Sequence, residues 1–139
     1  MTDLSELEMR IITYLEEAGI ESITDLLNGV SDGNGDLSEP EQLRVALERL
    51  ISRGLLRVLT SEADRQVHTL PTTSASLAAI SGSISKLEYD VAGRLWLDRS
   101  RTGPPYDPPF PYVRYDGHGR AVAESILKER GWRWWTARK

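Results

Sequence analysis

Apolar residues recur at spacings of three and four at Leu4, Leu7, Ile11, Leu15 and Ala18. This predicts a helix over about 4–18 with one buried face. Gly19 closes it, as a residue that tolerates the left-handed conformation does. A second short helix is predicted from Glu21-Ser22, with Ile23, Leu26, Leu27 and Val30 inward. Ser31 to Asp36 reads as a polar, glycine-rich loop. Ser38 and Glu41 have the spacing of a capping box, and Pro40 falls in the first turn, where its missing donor costs nothing. The third helix follows, with Leu43, Ala46, Leu47, Leu50 and Ile51 as its buried stripe and Arg53-Gly54 as its stop.

Beyond this stop the period changes. Leu55–Ser61 and Gln66–Leu70 are predicted strands joined across Glu62 to Arg65. In residues 71–99 both templates match: Leu77, Ile80, Ile84, Leu87, Val91 and Leu95 keep helical spacing, while Leu87, Tyr89, Val91, Leu95 and Leu97 alternate. The reading adopted is a helix to about Asp90 and a strand after Gly93. Gly103 to Pro111 holds five of the seven prolines and is expected to be an extended crossover rather than a central strand. Tyr112–Tyr115 is a further strand. Gly119–Arg130 is a helix with Val122, Ala123, Ile126 and Leu127 inward, Lys128 and Arg130 in its last turn and Gly131 as its stop. The tail, Trp132 to Thr136, is aromatic and β-prone.

The 139 residues, 40% hydrophobic and 27% charged, fit one globular domain with its own core. No apolar run is long enough for a membrane span, and the acidic start lacks the pattern of a secretory leader, so a cytoplasmic location is expected. With no cysteine, disulfides, thiolate metal sites and a cysteine nucleophile are excluded. Charge is divided along the chain. Residues 1–50 carry 12 acidic and 3 basic side chains, a balance of −9, and residues 51–139 carry 9 and 14, a balance of +5. Such polarity is expected either to bind an anion on one face, to drive self-association, or to be solvated surface.

Leu47-Glu48-Arg49-Leu50-Ile51-Ser52-Arg53-Gly54-Leu55-Leu56-Arg57 resembles the end of the third helix of winged helix-turn-helix domains running into the first wing strand. Tyr112-Val113-Arg114-Tyr115-Asp116-Gly117-His118-Gly119-Arg120 resembles their last wing strand running into a C-terminal helix. In regulators of the antibiotic-resistance and phenolic-acid repressor type this strand ends in Thr with Gly three residues on; here Asp116 replaces the Thr and Gly119 fits the Gly. The resemblance covers residues 4–60 and 112–131. It implies an α+β fold of three N-terminal helices, a β-hairpin wing, an insertion at 71–111 and a C-terminal helix, in one domain with the aromatic tail at 132–139.

By this resemblance the third helix enters the major groove of double-stranded DNA and the wing touches the backbone. Gln42 and Arg44 then read bases, and Arg49, Arg57 and Arg65 complete the nucleic-acid surface. Glu39, Glu41 and Glu48 share that surface and oppose phosphate. The competing reading is a non-catalytic protein-interaction module on the same scaffold. Trp132, Trp134 and Trp135 place three of four tryptophans within four residues; with Ile126 they are read as a homodimer interface. No catalytic constellation is recognised. Asp32, Asn34 and Asp36 imitate the first ligands of a calcium loop, but Leu37 and Leu43 occupy its obligatory glycine and glutamate positions. His68 and His118, the only histidines, have no ligand spacing around them, so no metal, cofactor or enzymatic activity is expected.

Overall fold

The computed structural model describes residues 4–31, 35–61, 67–99 and 111–135. It is α+β, with α1 (Glu6–Ala18), β1 (Ile20–Ser22), α2 (Ile23–Val30), α3 (Glu39–Ser52), β2 (Leu56–Ser61), β3 (Val67–Thr69), α4 (Thr73–Ile84), β4 (Leu87–Asp90), β5 (Leu95–Asp98), β6 (Tyr112–Tyr115) and α5 (Gly119–Arg130). A four-stranded antiparallel sheet has the order β1-β6-β2-β3, and β4 and β5 form a separate pair. Val113 stands at the centre of the larger sheet, opposite Glu21 on one side and Val58 on the other.

The predicted helical stripes are the buried ones. Ile11, Leu15, Leu26, Leu43, Leu47 and Leu50 are fully buried. Leu50 and Val113 belong to one hydrophobic cluster, which also takes in Ile80, Trp96, Ile126 and Trp135. Burying each such side chain contributes about 1.5–3 kcal/mol. The approach of α5 to β2 depends on Gly119: a Cβ there would lie 2.1 Å from the Leu55 carbonyl oxygen. Asp116 N–H donates to that same oxygen at 2.9 Å.

Four local expectations are corrected. First, β1 was absent from the sequence reading. Its three residues form a strand because β6, remote in sequence, offers an unpaired edge. Second, Ser38 does not cap α3. Its own backbone is helical, and its N–H and hydroxyl both donate to Asp36 Oδ1, at 2.9 and 2.8 Å. The aspartate two residues upstream makes the turn instead. The capping box lies at α1, where Glu8 N–H donates to Ser5 Oγ at 3.2 Å and Ser5 N–H to Glu8 Oε1 at 3.5 Å. Third, α4 ends at Ile84 rather than near Asp90, because Leu87 to Asp90 pairs with Leu95 to Asp98. The strand period won once a partner strand supplied hydrogen bonds, but in the opposite phase to the Leu95–Leu97 alternation: β5 buries Trp96 and leaves Leu95 and Leu97 exposed. Fourth, residues 132–135 form turns, not a strand.

The segment between β3 and β6 is anchored on the helices. α4 starts at Thr72, whose side chain accepts from Ala75 N–H at 3.0 Å, and packs on α3. The β4–β5 pair hangs on α2 through Asn28. Its side-chain amide donates to the Trp96 carbonyl at 3.0 Å, and its side-chain oxygen accepts the Trp96 N–H at 2.7 Å. Asn28 thus satisfies the outward backbone groups of β5 as a neighbouring strand would. Trp96 is buried and meets Tyr89 edge-on, with ring centroids 5.2 Å apart.

Candidate functional site

The outward side of α3 is built by its own period. Burying Leu43, Ala46, Leu47, Leu50 and Ile51 turns Glu41, Gln42, Val45 and Arg49 to solvent and leaves Arg44 and Glu48 half-buried. Arg44 Nε donates to both Glu41 carboxylate oxygens, at 2.9 and 3.0 Å, and its terminal nitrogens pair with Glu41 and Glu48. The guanidinium therefore sits between two carboxylates at helical spacings of three and four. The hydrogen bond from Arg44 holds the Glu41 carboxyl below its ordinary range, and the same bond, with Glu48 adding, raises the Arg44 guanidinium further above its own.

The other residues expected to touch DNA are occupied as well. Gln42 donates from Nε2 to Ser38 Oγ at 2.8 Å. Arg49 Nε lies 3.1 Å from Oε2 of Glu8, a carboxylate only 2% exposed. Arg57 pairs with Asp116. Arg65 lies outside the described residues, as do Asp32 and Asn34 of the calcium-like sequence. α3 and β2 do bring Gln42, Arg44, Arg49 and Arg57 onto the exposed or half-exposed surface. Each is held by a partner within the chain rather than left as an open donor.

Sequence reasoning missed Glu8 and the role of Asp116. Glu8 carried a usable signal, since Ser5 and Glu8 have the same Ser-x-x-Glu spacing that was assigned to Ser38 and Glu41. Its second contact, across to α3, had none. Between α1 and α3 runs a groove of ≈ 460 Å³ lined by Leu7, Val45 and Ala46 together with Glu41 and Arg49. Val45 is 46% exposed in it.

The division of charge along the chain is not kept in space. Glu16 on α1 faces Arg120 of α5 at 3.4 Å, and Glu17 takes a two-pronged contact from Arg133 at 2.9 and 3.0 Å. With Glu8 bound to Arg49, the acidic side of α1 is neutralised by arginines from later elements. The hydrogen bond from Arg133 also lowers the Glu17 carboxyl below its usual range.

The aromatic tail behaves differently from the interface expected of it. Ile126, Trp134 and Trp135 are 5%, 7% and 3% exposed within the chain itself. Gly131, at φ 87°, turns the chain back after α5, and Arg133 pins it to α1. Trp134 meets Trp135 edge-on at 5.4 Å and lies beneath the Arg130 guanidinium at 4.7 Å. Of the four residues, only Trp132, at 62%, turns an apolar surface outward. No helix among the described residues is long and apolar enough to cross a membrane.

No protein-family model matches the chain, and neither a curated protein nor a solved structure matches it significantly.

Proposed function

We propose that the chain is a non-catalytic, winged-helix-like module whose third helix contacts a protein rather than DNA. The scaffold reading is supported by the helix-strand-helix-helix order of the first half and by the pairing of β1 and β2 on either side of β6. The choice of partner rests on one observation: Arg44, Arg49 and Arg57 are each bound to a carboxylate of this chain. A duplex approaching α3 would meet Glu41 and Glu48 together with Arg44, and phosphate attraction is the contribution that non-specific DNA affinity requires. A protein partner carrying an apolar side chain beside a basic group suits the same surface. The apolar part enters over Val45, and the cation meets the surplus of carboxylates on α3.

The deciding experiment is retention on mixed-sequence double-stranded DNA at low salt. No measurable retention is expected, for the native chain or for Arg44→Ala. Retention that falls steeply with added salt, and that Arg57→Ala weakens on all sequences, would restore a DNA-binding regulator as the function.

A further inference from the structure

We infer, building on the reading that α3 contacts protein, that its partner is a second copy of this chain, docked through the outer face of its four-stranded sheet. A partner for α3 must carry an exposed apolar side chain beside a free cation, and the sheet holds such a pair. Ile20 and Arg114 are directly opposed on β1 and β6, and Arg114 is in turn opposed to Arg57 on β2. Directly opposed residues point to one face, with Cβ atoms about 4.5–5.5 Å apart. Ile20, Arg114 and Arg57 therefore form one row. Ile20 is 42% exposed. Arg114 is exposed, and its side chain has no hydrogen-bond or ion-pair partner among the described residues.

Like charges directly opposed across a sheet are destabilising. Asp116 answers only one of the two guanidinium groups, that of Arg57. The row is left with a positive charge in excess beside Ile20. On α3 the balance is reversed. Arg44 stands alone between Glu41 and Glu48, which leaves a negative charge in excess beside Val45, while Arg49 is balanced by Glu8. Each surface supplies what the other lacks. An excess cation meets an excess carboxylate, and a branched aliphatic side chain meets the groove of ≈ 460 Å³ lined by Leu7, Val45 and Ala46. Such matching of charge around an apolar contact is what selects one partner over others.

The two surfaces lie on opposite sides of the core. Successive residues of a strand point to opposite faces, so Val58 and Val113 project from the other side of the sheet than Arg57 and Arg114. There they join Leu47 and Leu50 of α3 in the hydrophobic cluster. Val45 is turned away from those leucines and exposed. A neighbour docked on one surface does not reach the other. The contact is therefore heterologous, and copies add head to tail into rings or open chains instead of closing as a two-fold dimer.

The test is sedimentation velocity of the full chain from about 10 μM to 1 mM, the range suited to a small interface. The mean mass of the native chain is expected to rise past that of a dimer. Val45→Gln removes the apolar contact on α3, and Arg114→Glu reverses the charge on the sheet. Both positions are exposed, and the near-ultraviolet spectrum of the buried indoles checks that each variant is folded. Each variant alone should associate at least about tenfold more weakly than the native chain. Mixed in equal amounts, the two should pair with native affinity and stop at dimers, because only one intact α3 surface then meets one intact sheet surface. A native chain that stays monomeric throughout, a variant that associates as the native chain does, or a mixture that does not pair would each overturn the inference. Monomeric behaviour without retention on DNA would assign α3 to a different protein, whereas retention on DNA would overturn the protein-contact reading itself.

Discussion

The sheet-centred body and the inserted α4–β4–β5 segment share one hydrophobic cluster, but they are held by different means. In the body, α1, α2 and α3 contribute Ile11, Leu15, Leu26, Leu43, Leu47 and Leu50, all fully buried, around a strand, β6, that has neighbours on both sides. The α4–β4–β5 segment contributes fewer side chains: Ile80, fully buried, with Trp96 and Ile84 at 3% and 9% exposed. Its hairpin is fastened to α2 by the two hydrogen bonds between Asn28 and Trp96. Stability in the first region is spread over many apolar contacts, whereas in the second it is concentrated on a few anchors. Regions of the second kind open independently when an anchor is removed.

Three substitutions sharpen this contrast, in descending order of effect. Leu50→Ala removes a fully buried side chain of the cluster that both regions share. It should cost about 2–5 kcal/mol and lower the urea midpoint of the whole chain in one transition. Separate transitions for sheet and insertion would show that the shared cluster does not couple them. Asn28→Ala leaves the Trp96 N–H and carbonyl without their partners, at a cost of about 1–3 kcal/mol. Amide exchange should then accelerate across the β4–β5 ladder and remain slow at Val58 and Val113. Uniform acceleration would mean that the hairpin is no more independent than the body.

The smallest effect belongs to the sheet edge and depends on pH. Desolvation raises the Glu21 carboxyl above its usual range, and the neighbouring Asp25 adds to this, while the Ser22 N–H partly offsets it. A carboxyl raised by folding favours the protonated form. Its stabilising contribution is therefore present below the unfolded glutamate value and is lost as pH rises through the folded one. At pH 7 the native chain bears that penalty. Glu21→Gln should raise the urea midpoint slightly at pH 7 and lose its advantage below about pH 4. A gain that persists unchanged at low pH would point to packing instead of charge.

The α+β class and most helices were legible because their periods are unambiguous. Leu43, Ala46, Leu47, Leu50 and Ile51 admit only a helical reading. Residues 87–97 fit two periods, and the choice between them was made by pairing: Leu87 finds Asp98 and Tyr89 finds Trp96. The surface residues chosen as candidates could be placed on α3 and β2 from sequence, but not their partners. Arg44 with Glu41 and Glu48 was readable in principle from spacing. Arg49 with Glu8 and Arg57 with Asp116 were not, since those pairs close over 41 and 59 positions of chain. The indoles show the same limit. Composition marked Trp132, Trp134 and Trp135 as one group, while the turn at Gly131 and the grip of Arg133 on α1 sort them into one exposed and two buried rings.

By itself, then, the order of residues determined the faces, stops and apolar stripes of α1, α2, α3 and α5, because these depend on neighbours three or four positions apart. Tertiary structure alone decided the strand at Ile20–Ser22, the neutralisation of α1 by later arginines, and the row of Ile20, Arg114 and Arg57. Each requires groups distant in the chain to meet, and no local period encodes that meeting.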